Sequence, residues 1–527
     1  MKRGNCDNIN EYVPKVKCDK KIPIKYINSE QSFYEICTTP ITELTKIDIH
    51  LWSISKITNI SDFSLLSNLI INPNVIFDNC LELPRCNLTD NSLIYISEII
   101  KKNTITKLNL SYNNLENIDI IADSLKNNTS IKFINLDNNN IKKIDLLCDV
   151  LKNNTSILGL SIENNKIENV NKIAELIKEN KSIQRLFIND NHFTNINCIG
   201  DALKYNNNII TLNIFDCVTE LESVKYFLSS LQYNHKIKYI NICNINTINF
   251  DILEPLQYND SIRELSFTGL YDISKHQKYI NSEILAKIIS NKKLKELELY
   301  TCKLKGSLYP LINVLIEKDN VKDLSLRCTK SDITGLMNYI RQTKNLKKLD
   351  ISYNYISNIR LFTEAIKCNK TLIKLDMSYV AEDYDNIYNY VNVSKEKTPE
   401  YVKRLDISYF LENAILNNKD CKIKELNISG LINDNKSINI LSDIIKTNKT
   451  IKSLYCKGNI WYQNNDKFEK INLWPLIDAI KSNHNLNWFL INTLNRESDF
   501  KETDFNQYYL LHRTVNFITN INRKSYN

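Results

Sequence analysis

Glycine and proline are scarce in this chain, at 8 and 9 of 527 residues. That excludes a collagen-like repeat, a proline-rich linker architecture and a glycine loop that cradles phosphate. No stretch reaches the roughly 18 apolar residues that a membrane-spanning helix needs, so no membrane partner is expected. The first residues, MKRGNCDNINEYVPKVKCDKK, lack the apolar centre of a secretory signal. The 14 cysteines never fall as C-x-x-C, and several, such as Cys148, Cys217 and Cys302, occupy apolar positions. They read as buried free thiols in a reducing compartment, which points to the cytoplasm. The six histidines are dispersed, without H-E-x-x-H and without triad or ligand spacing. We therefore expect no enzyme, no catalytic residues, no metal and no cofactor.

What is present is periodic. The windows 105-ITKLNLSYNNL-115, 131-IKFINLDNNNI-141, 157-ILGLSIENNKI-167, 183-IQRLFINDNHF-193 and 346-LKKLDISYNYI-356 all read L-x-x-L-x-L-x-x-N-x-L, with Ile or Phe allowed for Leu. The first four begin 26 residues apart. In 294-LKELELYTCKL-304 the Asn position holds Cys302. Weaker copies begin at Ile209, Ile237, Ile262, Val321, Leu372, Val402, Ile423, Ile451 and Leu486, and degenerate ones near Leu44 and Asp78. The total is about 17 units.

The alternation makes each window a short strand. Leu108 and Leu110 point one way, and Lys107, Asn109 and Ser111 the other. One such strand cannot bury its apolar edge alone, so the units must stack into a parallel sheet. Asn113, Asn139, Asn165, Asn191 and Asn354 follow their strands where the backbone turns inward, and their amides can satisfy the turn's backbone groups. The second half of each unit is helical. Ile118, Ile121, Ala122 and Leu125 lie on one helix face, and so do Ile196, Ile199, Gly200 and Leu203. The small third member lets the helix pack closely over the sheet. Each helix ends in a Lys/Asn cluster such as 151-LKNNTS-156, where Asn suits a left-handed cap.

These windows resemble the leucine-rich-repeat family over residues 41–495, and within it the ribonuclease-inhibitor-like subfamily, also found in NOD-like receptors and Ran GTPase-activating proteins. The chain lacks the Gly of that subfamily's Gly-Ala step. The resemblance implies an α/β right-handed solenoid shaped as a horseshoe, with a parallel β-sheet on the concave face and α-helices on the convex face. Residues 1–40 and 496–527 depart from the pattern and are expected to cap the two ends.

The formal charge is +8, yet acids outnumber bases at the outward strand positions. The concave face is therefore expected to take no nucleic acid, the excess lysine being a solvating surface. Two strips stand out. In 346-LKKLDISYNYI-356, 372-LIKLDMSY-379 and 402-VKRLDISY-409 the same residues recur. On strands about 4.8 Å apart, Lys348, Lys374 and Arg404 would form one column and Asp350, Asp376 and Asp406 the next. Ser352, Ser378 and Ser408 would form a third, flanked by Tyr353, Tyr379 and Tyr409. This is either a solvated network, each exposed pair contributing about 0–1 kcal/mol, or a recognition strip. The second strip, Glu264, Glu296, Glu298 and Asp323, is acidic and suits a Lys/Arg-rich segment. An insertion at 459–474 offers Trp461 and Tyr462, as partner anchors or as a lid over the last repeats.

The functional expectation is a monomeric, non-catalytic scaffold that binds a protein partner on the concave sheet. The alternative is a regulator of a GTPase or a nuclease, resembling Ran GTPase-activating protein or ribonuclease inhibitor.

Overall fold

The computed structural model describes residues 24–27, 29–42, 45–50, 65–214, 220–243, 250–268, 279–290, 293–329, 331–381, 405–432, 434–457, 472–483, 485–486 and 488–492. The chain divides into two compact units, residues 1–167 with 179–183, and residues 168–178 with 184–527.

In the first unit the strands are β1 (Ile24–Ile27), β2 (Thr45–His50), β3 (Val75–Glu82), β4 (Ile105–Asn109), β5 (Phe133–Asn135) and β6 (Gly159–Ser161). They pair in chain order, and every pairing is parallel. Inside the expected cap, Ile24–Ile27 form a strand and Glu30–Thr38 a helix that a Ser29–Ser32 capping box opens.

The second unit continues the numbering with β7 (Arg185–Phe187), β8 (Thr211–Asn213), β9 (Tyr239–Cys243), β10 (Glu264–Thr268), β11 (Tyr279–Asn281), β12 (Glu296–Tyr300) and β13 (Lys303–Lys305). Next come β14 (Asp323–Ser325), β15 (Lys348–Asp350), β16 (Lys374–Asp376), β17 (Glu425–Asn427), β18 (Ser453–Lys457) and β19 (Trp488–Asn492). β11 and β13 form a small separate pair. The others pair in chain order, again all parallel. With helices or helical turns between strands, each unit is a leucine-rich-repeat α/β solenoid. No described helix is long and apolar enough to cross a membrane.

The apolar pattern explains the stacking. Leu108, Leu110, Ile134, Leu136, Leu349 and Ile351 are all buried. Such a side chain contributes about 1.5–3 kcal/mol when removed from water, and its neighbours in the stack are what remove it. Two asparagine ladders hold the turns. In the first, Asn113 accepts from the amides of Cys86 (3.0 Å) and Leu88 (2.9 Å) and donates to the carbonyls of Leu83 and Leu110 (both 2.9 Å). Asn139, Asn165 and Asn354 repeat the arrangement. Cys86 and Cys302 occupy the same position and are buried free thiols, as is Cys148; Cys217 lies outside the described residues.

The second ladder revises the reading of the Lys/Asn clusters. Asn154, Asn206 and Asn369 follow their helices in extended, not left-handed, backbone. Their amides reach the preceding repeat: Asn154 donates to the Asn128 carbonyl (2.9 Å) and Asn206 to that of Ile177 (2.6 Å). Asn234 and Asn259 do the same one and two repeats on. The small helix residue also acts differently from the expectation at Gly200. A Cβ there would lie 2.9 Å from Ser230 Oγ and 3.3 Å from Phe227 Cα, both on the next helix, so the glycine permits helix–helix contact.

From Leu405, where the described residues resume, the third K/R-x-D-x-S copy is not a strand. β16 pairs directly with β17, and Leu405 leads into a helix, Ile407–Phe410, followed by a π-helical turn, Leu411–Leu416. Asp406, Ser408 and Tyr409 therefore do not extend the columns, and Arg404 lies outside the described residues. Asp406 caps this helix, accepting from the Ser408 amide (3.1 Å). Asp350 accepts from the Ser352 amide in the same way, so the D-x-S triplet is a local contact that can end a strand or open a helix.

Candidate functional site

The sheet of the second unit presents its non-core face at alternate strand residues. Register places Glu264, Glu296, Asp323, Lys348, Lys374 and Glu425 side by side on β10, β12, β14, β15, β16 and β17. Lys348 pairs with Asp323, and Lys374 with Glu425 at 3.0 Å. Both lysine side chains are about half exposed, 58% and 47%, so each bridge contributes only about 0–1 kcal/mol and both charges stay reachable. Glu264 and Glu296 have no ion pair among the described residues. Burial raises the Glu264 carboxyl above its ordinary range. Burial, and then repulsion from Glu264 and Asp323, raises Glu296. Glu298 accepts from Ser266 Oγ at 3.1 Å. Glu264 and Glu296 are thus carboxylates crowded by each other and by Asp323, a field that a cation would relieve.

Two residues along each strand, register aligns Asp350, Asp376 and Asn427. Asp350 accepts from Ser352 at the amide (2.9 Å) and Oγ (2.6 Å), and Asp376 from Ser378 at 3.0 and 2.6 Å. Asn427 Nδ2 donates to Asp376 (2.8 Å) while its own Oδ1 accepts from Ser429. Ser352 and Ser378 are buried. The serine column is thus a set of internal braces with no outward surface. Burial, and then the Asp376 charge, pushes the Asp350 carboxyl up to about 6.

Beyond the strands an aromatic row begins. Tyr353 and Tyr379 sit at φ +57° and +55°, the left-handed region that costs a side chain with a Cβ about 1–2 kcal/mol. Their rings stack at 4.9 Å with 19° between planes. The Arg327 guanidinium lies 5.1 Å from the Tyr300 ring and 5.3 Å from Tyr353, a cation held between two faces. At the far end, Gly430 (φ +80°) takes the equivalent backbone position, and a Cβ there would lie 2.5 Å from the Tyr379 ring. Tyr300 and Gly430 were legible in principle, since they align with Ser352 and Tyr379 in the repeat.

The geometry thus gathers Glu264, Glu296, Glu298, Asp323, Lys348, Asp350, Lys374 and Asp376 on one sheet, with Tyr353 and Tyr379 in the turns just past it. Tyr409 lies in its helix, with Arg360 5.4 Å from its ring. Arg404, Trp461 and Tyr462 lie outside the described residues. Trp474 opens the helix Trp474–Ser482 and is 43% exposed.

No protein-family model matches the sequence, and no curated protein matches it significantly. Among solved structures, an internalin from Listeria monocytogenes is 16% identical, with 71% of this chain and 83% of that chain covered and a TM-score of 0.37. TLR13, in a complex with ssRNA13, is 14% identical, with 82% of this chain covered and a TM-score of 0.40; this chain spans 61% of its length. The repeat assignment rests on the parallel register and the two asparagine ladders.

Proposed function

We propose that the chain is a non-catalytic scaffold that binds a protein partner on the outward sheet face of its second unit. The observation that carries this reading is the pairing of an acidic strip, whose Glu264 and Glu296 have no ion pair among the described residues, with a tyrosine–arginine row in which Tyr353 and Tyr379 take left-handed backbone and Arg327 lies against Tyr300 and Tyr353. Tyrosine supplies contact area at low entropic cost, and the carboxylates select a Lys/Arg-rich partner segment. The 26-residue unit and its helix favour the ribonuclease-inhibitor-like subfamily. A monomeric chain in a reducing cytoplasm belongs to the same proposal, on the buried free thiols Cys86, Cys302 and Cys456.

The regulator reading gains little from Arg327, whose guanidinium is held between two rings and is poorly placed to reach into a partner's active site. A purified partner should bind the chain at least about tenfold more weakly after Glu264→Lys with Glu296→Lys, each lost contact of about 1.4 kcal/mol giving a factor of ten. Unchanged affinity would place binding elsewhere on the molecule.

A further inference from the structure

The residue just before the outward column, at the strand-entry edge of the second unit, forms a column of its own. Its backbone ladder runs from the Arg263 amide to the Lys238 carbonyl (2.8 Å), Lys295 to Arg263 (2.6 Å), Lys322 to Lys295 (2.7 Å) and Lys347 to Lys322 (2.6 Å). Five cations thus occupy successive rungs about 4.8 Å apart. After Ile373 the ladder resumes with Lys424 and Lys452. Unlike Lys348 and Lys374, none of these cations forms an ion pair with a carboxylate among the described residues. Lys238 Nζ donates to the His235 carbonyl (3.2 Å) and Arg263 Nη1 to the Asp260 carbonyl (2.7 Å). Burial, and then the Arg263 charge, lower the Lys238 ammonium below its ordinary range, and the nearby Asp260 charge only partly opposes them.

The same two carbonyls lie two residues after exposed tyrosines. Tyr233 and Tyr258, with Tyr205 one repeat earlier, immediately precede Asn234, Asn259 and Asn206 of the second ladder. That ladder is continuous, with Asn259 donating to the Asn234 carbonyl (3.0 Å) and Asn234 to that of Asn206 (3.1 Å). The three rings are therefore on successive rungs, exposed by 76% (Tyr205), 59% (Tyr233) and 65% (Tyr258). A row of unpaired cations alone fits any polyanion. Beside solvent-facing aromatic rings it fits one whose charges alternate with flat apolar faces. The acidic strip one residue further along β10, β12 and β14 repels such a chain from the sheet and confines it to this edge.

We propose that this edge binds single-stranded nucleic acid, with Lys238, Arg263, Lys295, Lys322 and Lys347 following the phosphates and Tyr205, Tyr233 and Tyr258 stacking on bases. It is distinct from the protein-binding face and does not depend on it. The test is fluorescence anisotropy of labelled oligo(dT) and oligo(rU) with the full chain over a salt series. The proposal expects binding to both, with the tighter of the two naming the natural sugar. It also expects at least about a tenfold loss in the Lys295→Gln/Lys322→Gln/Lys347→Gln variant, and a log–log salt slope shallower by about 0.7 for each phosphate contact removed. Tyr233→Ala with Tyr258→Ala should weaken binding about tenfold at unchanged salt slope. Circular dichroism checks that each variant is folded, and Lys322→Gln alone replaces the triple variant if that does not fold. Failure of the wild type to bind would overturn the proposal. So would equal displacement by poly-glutamate with no effect of the tyrosine changes, which assigns the edge to acidic peptides, or an equal loss in the control Lys126→Gln, in the turn after the helix Asp119–Ser124 of the first unit.

Discussion

Asn138 and Asn164 in the first unit hold the same repeat position as Tyr353 and Tyr379 in the second, and all four have positive φ. Asparagine adopts that backbone readily, and here the two side chains simply join, Asn164 Nδ2 to Asn138 Oδ1 at 2.6 Å. Tyrosine pays a conformational cost there and returns part of it by stacking, worth about 0.5–1.5 kcal/mol. The fold needs only the backbone turn at this position, so the tyrosines are not there for stability. The comparison separates two kinds of repeat residue: those that build the stack and those placed on it.

The largest effect should come from the builders. Asn354→Ala would strip partners from the Ser331 amide, Thr329 Oγ1 and the carbonyls of Leu326 and Ile351, all interior. Chemical denaturation should register a loss of about 3–4 kcal/mol. Gly430→Ala follows. Its Cβ would meet the Tyr379 ring from a left-handed backbone, costing about 2–3 kcal/mol. Pairing it with Tyr379→Ala should recover most of the clash, and no recovery would mean the ring is not seated there.

Asp350 allows a pH test. Its carboxyl has an ordinary value of 3.8 and is held at about 6 when folded. The folded state therefore binds its proton more tightly than the unfolded state. Stability contributed by the protonated form is present below about pH 4 and is lost as pH rises through about 6. Asparagine already stands at the equivalent position in β17 and accepts from Ser429 in the same way. Asp350→Asn should thus stabilise the chain by about 1–2 kcal/mol at pH 7 and by almost nothing at pH 4. A gain that does not depend on pH would contradict the desolvated, Asp376-facing environment. The smallest stability effect belongs to Tyr353→Asn, within about 1 kcal/mol, because relief of backbone strain offsets the lost stack. Its partner affinity should nonetheless fall at least about tenfold. A variant that keeps full affinity would make Tyr353 a builder after all.

Much of the fold was legible because Leu, Ile and Asn recur at fixed offsets and each offset has a single physical job. The third K/R-x-D-x-S copy shows where such reading fails. Ile407, Phe410, Leu411, Ala414 and Ile415 are buried, and their spacing is helical. Only 21 residues separate Val402 from Ile423, too few for a strand, a helix and both turns. Helical period and spacing outweighed the local alternation. The acidic strip could be placed because its residues occupy strand positions of fixed orientation. The cation column was missed because Lys295, Lys322 and Lys347 precede their strands, at a position that simple alternation does not assign to either face. The stacking of Arg327 between Tyr300 and Tyr353 depends on side-chain reach across strands, which no period encodes.

The most direct test of the protein-binding face is site-specific photo-crosslinking in the native cell, with a benzophenone residue replacing Tyr353 in one protein and Tyr309, an exposed helix residue, in another. The account predicts a discrete protein adduct from position 353 that disappears when Glu264 and Glu296 are changed to lysine, and no such adduct from 309. The same adduct from both positions, or one at 353 indifferent to those two glutamates, would contradict it.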